Sequence, residues 1–304
     1  MVSLHPESGW QQGLKGRSAA PERNRMSFLE FLKVILFGLV EGYTEFLPIS
    51  STGHLILVEN LVHLDQPEEF FSVFKMVIQI GAILAVVLLY WKKLWPFGRG
   101  VMKTAKQNDI WHLWGMVIIG CIPAGVLGIL LDDFVDAYLS TPVVIGITLV
   151  VYGIAFLLME TYFARNHKPV IQTTRDLTWK TALFVGLFQC LSIIPGTSRS
   201  GATILGALLL GMSRSAGAEY SFFLGIPVIC GSGLIRIVKY FANGYTFTGT
   251  QVLILIIGTV VSFITALFVV RVFIDYLKRH DFKLFGWYRI VLGAIVLLYF
   301  GFAG

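Results

Sequence analysis

From Met26 onward the chain is a succession of apolar blocks separated by short polar loops. The blocks run roughly over 28–47, 53–63, 71–91, 111–131, 141–163, 181–194, 201–212, 218–238, 251–272 and 286–303. Six of them (71–91, 111–131, 141–163, 218–238, 251–272 and 286–303) are long enough to cross a bilayer as helices, because about 20 apolar residues span the hydrocarbon core. The other four form two pairs. Each pair is broken in its middle by proline and hydroxyl residues, "LPISSTGH" in the first and "IPGTSRSGA" in the second. Broken apolar segments at corresponding positions predict re-entrant helical hairpins and an internal repeat.

The repeat is visible by direct superposition. A shift of 148 residues lays Gly38 on Gly186, Leu39 on Leu187, Glu41 on Gln189, Thr44 on Ser192, Ser50 on Ser198, Thr52 on Ser200 and Gly53 on Gly201. Pro48 and Pro195 miss each other by one position. Each half then holds one hairpin and three spans, over about 28–163 and about 180–303. Three is odd, so the second half enters the membrane with opposite orientation. The expected fold is an all-α polytopic membrane protein with six transmembrane helices and two re-entrant hairpins in an inverted-topology repeat. Non-helical backbone at membrane depth must be buried in protein or line a wet cavity, so the hairpins should meet near the midplane.

Composition agrees. The 304 residues are 56% hydrophobic and only 14% charged, and the mean hydropathy is +0.74. Soluble domains carry about 25% charged residues. Cys121, Cys190 and Cys230 all fall in apolar segments and read as buried small hydrophobes, with no disulfide framework or thiolate metal site. Residues 1–25 are polar with no apolar core, so they do not read as a secretory signal. They read either as a dispensable, disordered extension or as a start site placed too early, ahead of a single membrane domain over 26–304.

Charge sets an expected orientation. The loop after the first span carries Lys92, Lys93, Arg99, Lys103 and Lys106, which marks the cytoplasmic face. "DDFVDAYLS" is acidic, whereas "ARNHKPVIQTTRDLTWK" and "RVFIDYLKRHDFKLFGWYR" are basic. Alternation places the first hairpin and the C-terminus outside. The net charge of +6 suits anionic lipid or an anionic substrate. Its basic residues lie in short loops, which does not suit nucleic acid.

Ionisable residues at membrane depth are costly and therefore functional candidates. Glu41 and Glu45 are one helical turn apart and share a face. Two like charges in low dielectric need a proton, a cation or an arginine between them. A hard divalent ion takes carboxylate oxygens and keeps water or phosphate ligands. Pro48 ends their helix. Ser50, Ser51, Thr52 and Gly53 then open a second half-helix, whose N-terminus can bind phosphate. His54 follows and can act as acid, base or nucleophile. The second break adds Arg199 between Ser198 and Ser200, with Gly196, Thr197, Gly201 and Thr203 around it. A guanidinium grips phosphate oxygens in pairs. Arg199 also reads as a partner for Glu41 or Glu45. Arg214, Glu219 and Lys75 are lesser candidates, with Arg214 expected in solvent at a turn. Carboxylates, arginine, hydroxyls, half-helix starts and a histidine together suit phosphoryl transfer. A site in the bilayer suits a lipid with a diphosphate head. A transporter or flippase of a polyprenyl phosphate lipid shares the architecture, but the paired carboxylates beside hydroxyls and histidine favour an enzyme.

The motifs "EGYTEFLPISSTGH" and "PGTSRSGAT", with "IPAGVLGILLDD" as a third stretch, resemble those of the undecaprenyl-diphosphate phosphatase family, also called the bacitracin-resistance family. The resemblance covers nearly all of 26–304. It implies an integral-membrane hydrolase that converts undecaprenyl diphosphate to the monophosphate and inorganic phosphate. That reaction recycles the lipid carrier for peptidoglycan and confers bacitracin resistance. The resemblance also implies dependence on Mg²⁺ or Ca²⁺ in a bacterial cytoplasmic membrane. Carried over by position, Glu41 and Glu45 would hold the metal or activate a nucleophile. Ser51 would be that nucleophile or orient the attacking water, and His54 would be the acid/base partner. Arg199, Ser198 and Ser200 would bind the diphosphate, helped by Ser50, Thr52, Gly53, Gly196, Thr197 and Thr203. Serine, histidine and water all stay open as the attacking group. The partners are the polyprenyl substrate and membrane lipid, and a homodimer is compatible with the sequence.

Overall fold

The computed structural model describes residues 26–97, 103–139, 141–166 and 169–302. The extension over 1–25 lies outside the described residues. The described chain folds into α1 (Phe28–Thr44), α2 (Ser51–Leu61), α3 (Glu68–Leu89), α4 (Trp91–Leu94), α5 (Lys103–Tyr138), α6 (Pro142–Asn166), α7 (Trp179–Cys190), α8 (Arg199–Leu209), α9 (Arg214–Ala242), α10 (Gly249–Leu277) and α11 (Lys283–Phe302). Among the described residues the only β pairing is an isolated bridge between Ile171 and Met212. Hydroxyl side chains start several helices by accepting from the free N–H groups of the first turn. Ser27 accepts from Glu30 N at 3.1 Å, Thr178 from Thr181 N at 3.2 Å, Ser213 from Ala216 N at 3.3 Å and Thr248 from Gln251 N at 3.2 Å.

Six helices are long and apolar enough to cross a membrane: Glu68–Leu89, Gln107–Leu131, Pro142–Phe163, Arg214–Ala242, Gly249–Leu277 and Lys283–Phe300. They coincide with the six apolar blocks expected to span. The protein is therefore a multi-pass helical membrane protein. The helices α2, α7 and α8 have 11, 12 and 11 residues. At 1.5 Å per residue each is about 17–18 Å long, too short to cross alone. Both broken pairs sit against the long helices, α1 on α10 and α7 on α5.

Glycine makes those two contacts possible. A Cβ at Gly38 would lie 2.8 Å from the Gly258 carbonyl oxygen, and one at Gly186 would collide with the carbonyl of Gly120. Gly38 and Gly186 are the positions that the 148-residue shift superposes, and each rests on a helix of the other half. Small residues permit such backbone approach between membrane helices. Gly186→Ala is expected to force α7 off α5. Overpacking of this kind costs about 1–3 kcal/mol, so the detergent-solubilised variant should unfold at a lower temperature than the parent in a thermal-shift measurement.

Two charged residues differ from expectation. Arg214, expected in solvent, pairs through Nε with Glu160 Oε1 at 2.9 Å and through Nη2 with Oε2. Glu160 is buried and also accepts from Phe282 N at 3.0 Å. A buried carboxylate needs such partners, and the α6 fold supplies them from α9 and the turn before α11. Arg289, read as a basic loop residue, is wholly buried within α11. The cysteines are free and half-buried rather than fully enclosed.

Candidate active site

The two breaks are built alike. Ser50 and Ser198 are, among the described residues, the only non-glycine residues with positive φ, at 73° and 70°. The left-handed region costs an L-residue roughly 1–2 kcal/mol, and such strain gathers at functional sites. Each serine caps the helix that follows. Ser50 Oγ accepts from Gly53 N at 3.3 Å at the start of α2, and Ser198 Oγ accepts from Gly201 N at 3.2 Å at the start of α8. Gly196, with φ 88°, lies so close to α6 that a Cβ would stand 2.8 Å from Ile145 Cα.

The breaks meet through one carboxylate. Glu45 ends α1 and is buried. Ser51 Oγ–H donates to its Oε2 at 2.6 Å, and Arg199 Nη2 donates to its Oε1 at 3.0 Å. The other end of the guanidinium, Nη1, donates to the Ser221 carbonyl at 2.9 Å. Ser200 Oγ reaches the Glu45 and Leu47 carbonyls at 3.3 and 3.2 Å and stands 3.1 Å from Ser198 Oγ. Thr203 Oγ1 and Ser221 Oγ are 2.6 Å apart. Residues expected from both breaks thus form a single polar centre inside the apolar bundle.

Glu41 lies one turn before Glu45 and has no exposed surface. Neither of its oxygens has a hydrogen-bond partner; Glu45, Arg199 and Gln79 are its polar neighbours. Gln189, which the 148-residue shift lays on Glu41, is also buried, and both its amide atoms are unpartnered. Among the described residues no group of three or more histidine, cysteine, aspartate or glutamate side chains is placed to hold a metal. The two carboxylates fit a hard divalent ion nonetheless. Glu41 offers two uncommitted oxygens, and such ions keep water and phosphate in the rest of their shell.

His54 lies apart from this chain of contacts. Its hydrogen bonds go to the Ser50 carbonyl from Nδ1 and to the Tyr288 hydroxyl at Nε2, each 2.7 Å, and not to Ser51 or Glu45. Thr52 is exposed on α2, whereas Thr197 is fully buried with its hydroxyl unpartnered.

Sequence reasoning missed Arg289, Tyr288, Ser221 and Gln79. Arg289 donates from Nη1 to the Pro48 carbonyl at 3.2 Å, and from Nη2 to the Gly196 and Thr197 carbonyls at 2.9 and 3.0 Å. It therefore ties both breaks to α11. The available signal was its position inside the apolar run 286–303.

A family model described as bacitracin resistance protein BacA matches residues 34–295. The chain is 49% identical over 276 residues to an undecaprenyl-diphosphatase of Enterococcus faecalis, covering 90% of this chain and 98% of that protein. It is 52% identical over 274 residues to one from Streptococcus thermophilus (strain ATCC BAA-250 / LMG 18311), covering 89% and 93%. A third, from Lacticaseibacillus casei (strain BL23), is 51% identical over 269 residues, covering 88% and 98%.

Proposed function

The chain belongs to the bacitracin resistance protein BacA family, and we propose that Glu45, Ser51 and Arg199 carry out its hydrolysis of undecaprenyl diphosphate. The observation that carries this reading is the Ser51–Glu45–Arg199 chain. A serine hydroxyl donates at 2.6 Å to a carboxylate whose other oxygen holds a guanidinium at 3.0 Å. An activated nucleophile needs such a proton acceptor within hydrogen-bond reach.

Ser51 Oγ attacks the terminal phosphorus while Glu45 takes its proton. The Oγ–P bond forms as the bond from phosphorus to the bridging oxygen breaks, and undecaprenyl phosphate leaves. Glu45 passes that proton to the oxygen of the leaving undecaprenyl phosphate. Water then attacks the phosphoserine while Glu45 takes its proton; the P–Oγ bond breaks, the proton returns to Ser51 Oγ, and inorganic phosphate is released. Arg199 turns from Glu45 toward the phosphate oxygens, where its fork matches their geometry. Ser200, beside it and within reach of the Glu45 and Leu47 carbonyls, offers the phosphate a hydroxyl. The Ser50 and Ser198 caps, with Gly53 and Gly201, aim the starts of α2 and α8 at the anion. Gly196 and Thr197 hold the second loop against α6 and α11, Thr203 braces Ser221, and exposed Thr52 stands at the edge of the site. His54, one turn along α2 from Ser51, serves as the acid/base partner.

Glu41 and Glu45 would hold Mg²⁺ or Ca²⁺, which when bound offsets the negative charge of the diphosphate. In the membrane the α1–α2 and α7–α8 pairs re-enter from opposite faces. The first pair opens to the outer face, as the basic loop around Lys92 and Lys93 on the opposite side implies. The substrate head then enters from the outer leaflet.

A phosphate-release assay on the purified protein with undecaprenyl diphosphate tests both parts. Turnover that EDTA stops and Mg²⁺ restores is the expected result. EDTA-insensitive turnover would overturn the metal assignment, and no turnover in any condition would overturn the enzymatic reading.

A further inference from the structure

His54 is held at both ring nitrogens. The Ser50 carbonyl can only accept, so Nδ1 carries the proton in the 2.7 Å contact between them. In a neutral imidazole Nε2 is then a bare acceptor, and the Tyr288 O–H donates to it at 2.7 Å. The two rings are parallel within 4°, with centroids 5.6 Å apart. Neither anchor is loose. Ser50 is the left-handed cap of α2, and its carbonyl also accepts from the His54 backbone N–H at 3.3 Å. Tyr288 directly precedes Arg289, whose three bonds pin α11 to the Pro48, Gly196 and Thr197 carbonyls. Arg289 is also the nearby charge that His54 meets, and Tyr43 is the ionisable neighbour of Tyr288. One turn of α11 therefore fixes the two breaks with an arginine and the histidine between them with a tyrosine.

We propose that Tyr288 is a positioning residue for the phosphatase reaction: with the Ser50 carbonyl holding His54 in the Nδ1–H tautomer, the Tyr288 hydroxyl sets the ring orientation and the direction of the Nε2 lone pair. The proposal rests on the reading of His54 as acid/base partner. Second neighbours that fix tautomer and ring orientation govern what an imidazole can do.

Tyr288→Phe keeps the ring and removes only the hydroxyl. The loss of one hydrogen bond to a catalytic group, about 1 kcal/mol by its usual net worth, should lower kcat about five- to tenfold while KM stays within about twofold. His54→Gln should be no worse with Tyr288→Phe added, because coupled residues are not additive. Carbethoxylation of His54 by diethyl pyrocarbonate, followed by mass spectrometry of its peptide, reads the same contact without turnover. Freed of the tyrosine, Nε2 should react several-fold faster, with His63, His112 and His280 as internal references. An unchanged His54 modification rate, an unchanged kcat, or full additivity in the double variant would each overturn the proposal. An inactive parent enzyme would refute the proposed function, and the modification arm would still test the contact.

Discussion

Glu45→Gln is expected to lower kcat for phosphate release from undecaprenyl diphosphate at least about 100-fold, the lower end of what a positioned proton acceptor contributes. The amide keeps the volume of the carboxylate and can still accept from Arg199 Nη2 with its carbonyl oxygen. What it cannot do is take the Ser51 proton. Its NH2 would face Ser51 Oγ as a donor, and the serine hydroxyl would have to turn away. A second consequence is electrostatic. Among the described residues Glu45 is the only carboxylate bonded to Arg199, so the substitution leaves Glu41 as the carboxylate nearest the guanidinium. Truncating one partner of a buried pair can cost about 3–5 kcal/mol of stability. The side chains of Arg199 and Glu45 are 11% and 7% exposed, and retention of the amide oxygen and of Glu41 nearby should keep the loss below that range. Size-exclusion behaviour and thermal midpoint in detergent should therefore accompany the rate. A folded Glu45→Gln protein that turns over within about threefold of the parent would remove Glu45 from the chemistry.

The pattern of apolar blocks carried most of the fold. Proline beside hydroxyls inside a greasy segment has few physical solutions, and the six long blocks each became a spanning helix. The centre was legible to the extent that its parts were expensive to bury. Glu41, Glu45 and Arg199 stood out because charges at membrane depth demand a reason, and the structure pairs Arg199 with Glu45 and buries Glu41 beside them. Ser50 and Ser198, which the 148-residue shift lays on each other, have similar φ and similar capping bonds. Residues that act through backbone were not legible. Arg289 bonds three carbonyls, which every residue possesses, so no spacing announces it. Near the start of its apolar block it was indistinguishable from a loop cation. Tyr288, Ser221 and Gln79 are ordinary residues on spanning helices until tertiary contact gives them a partner. Arg214 misled for the opposite reason, because a turn at a helix start reads as solvent while Glu160 lies 54 positions away in sequence.

Arg199 is expected to tolerate no substitute, and a glycine opposite it provides an independent test of why. Arg199→Lys keeps the charge but replaces a two-armed planar group with a single point donor. The lysine cannot reach Glu45 Oε1 and the Ser221 carbonyl together, as Nη2 and Nη1 do at 3.0 and 2.9 Å. Charged hydrogen bonds are worth about 1.5–3 kcal/mol, so kcat/KM should fall roughly ten- to 150-fold in the lysine variant and further in Arg199→Ala. Those variants alone do not separate placement from charge. Gly225 on α9 does. A Cβ there would lie 2.6 Å from Arg199 Nη1 and 2.8 Å from both Cζ and Nη2. The guanidinium is the flexible end of that contact, so Gly225→Ala should displace it while every atom of the polar centre stays in the protein. The expected result is a loss of kcat/KM in the same direction as Arg199→Lys, in a protein that still elutes as the parent does on size exclusion and whose thermal midpoint falls no further than that of Arg199→Ala. Full activity in Gly225→Ala would mean that the arginine acts as a diffuse positive charge, and the bidentate grip on phosphate would have to be abandoned.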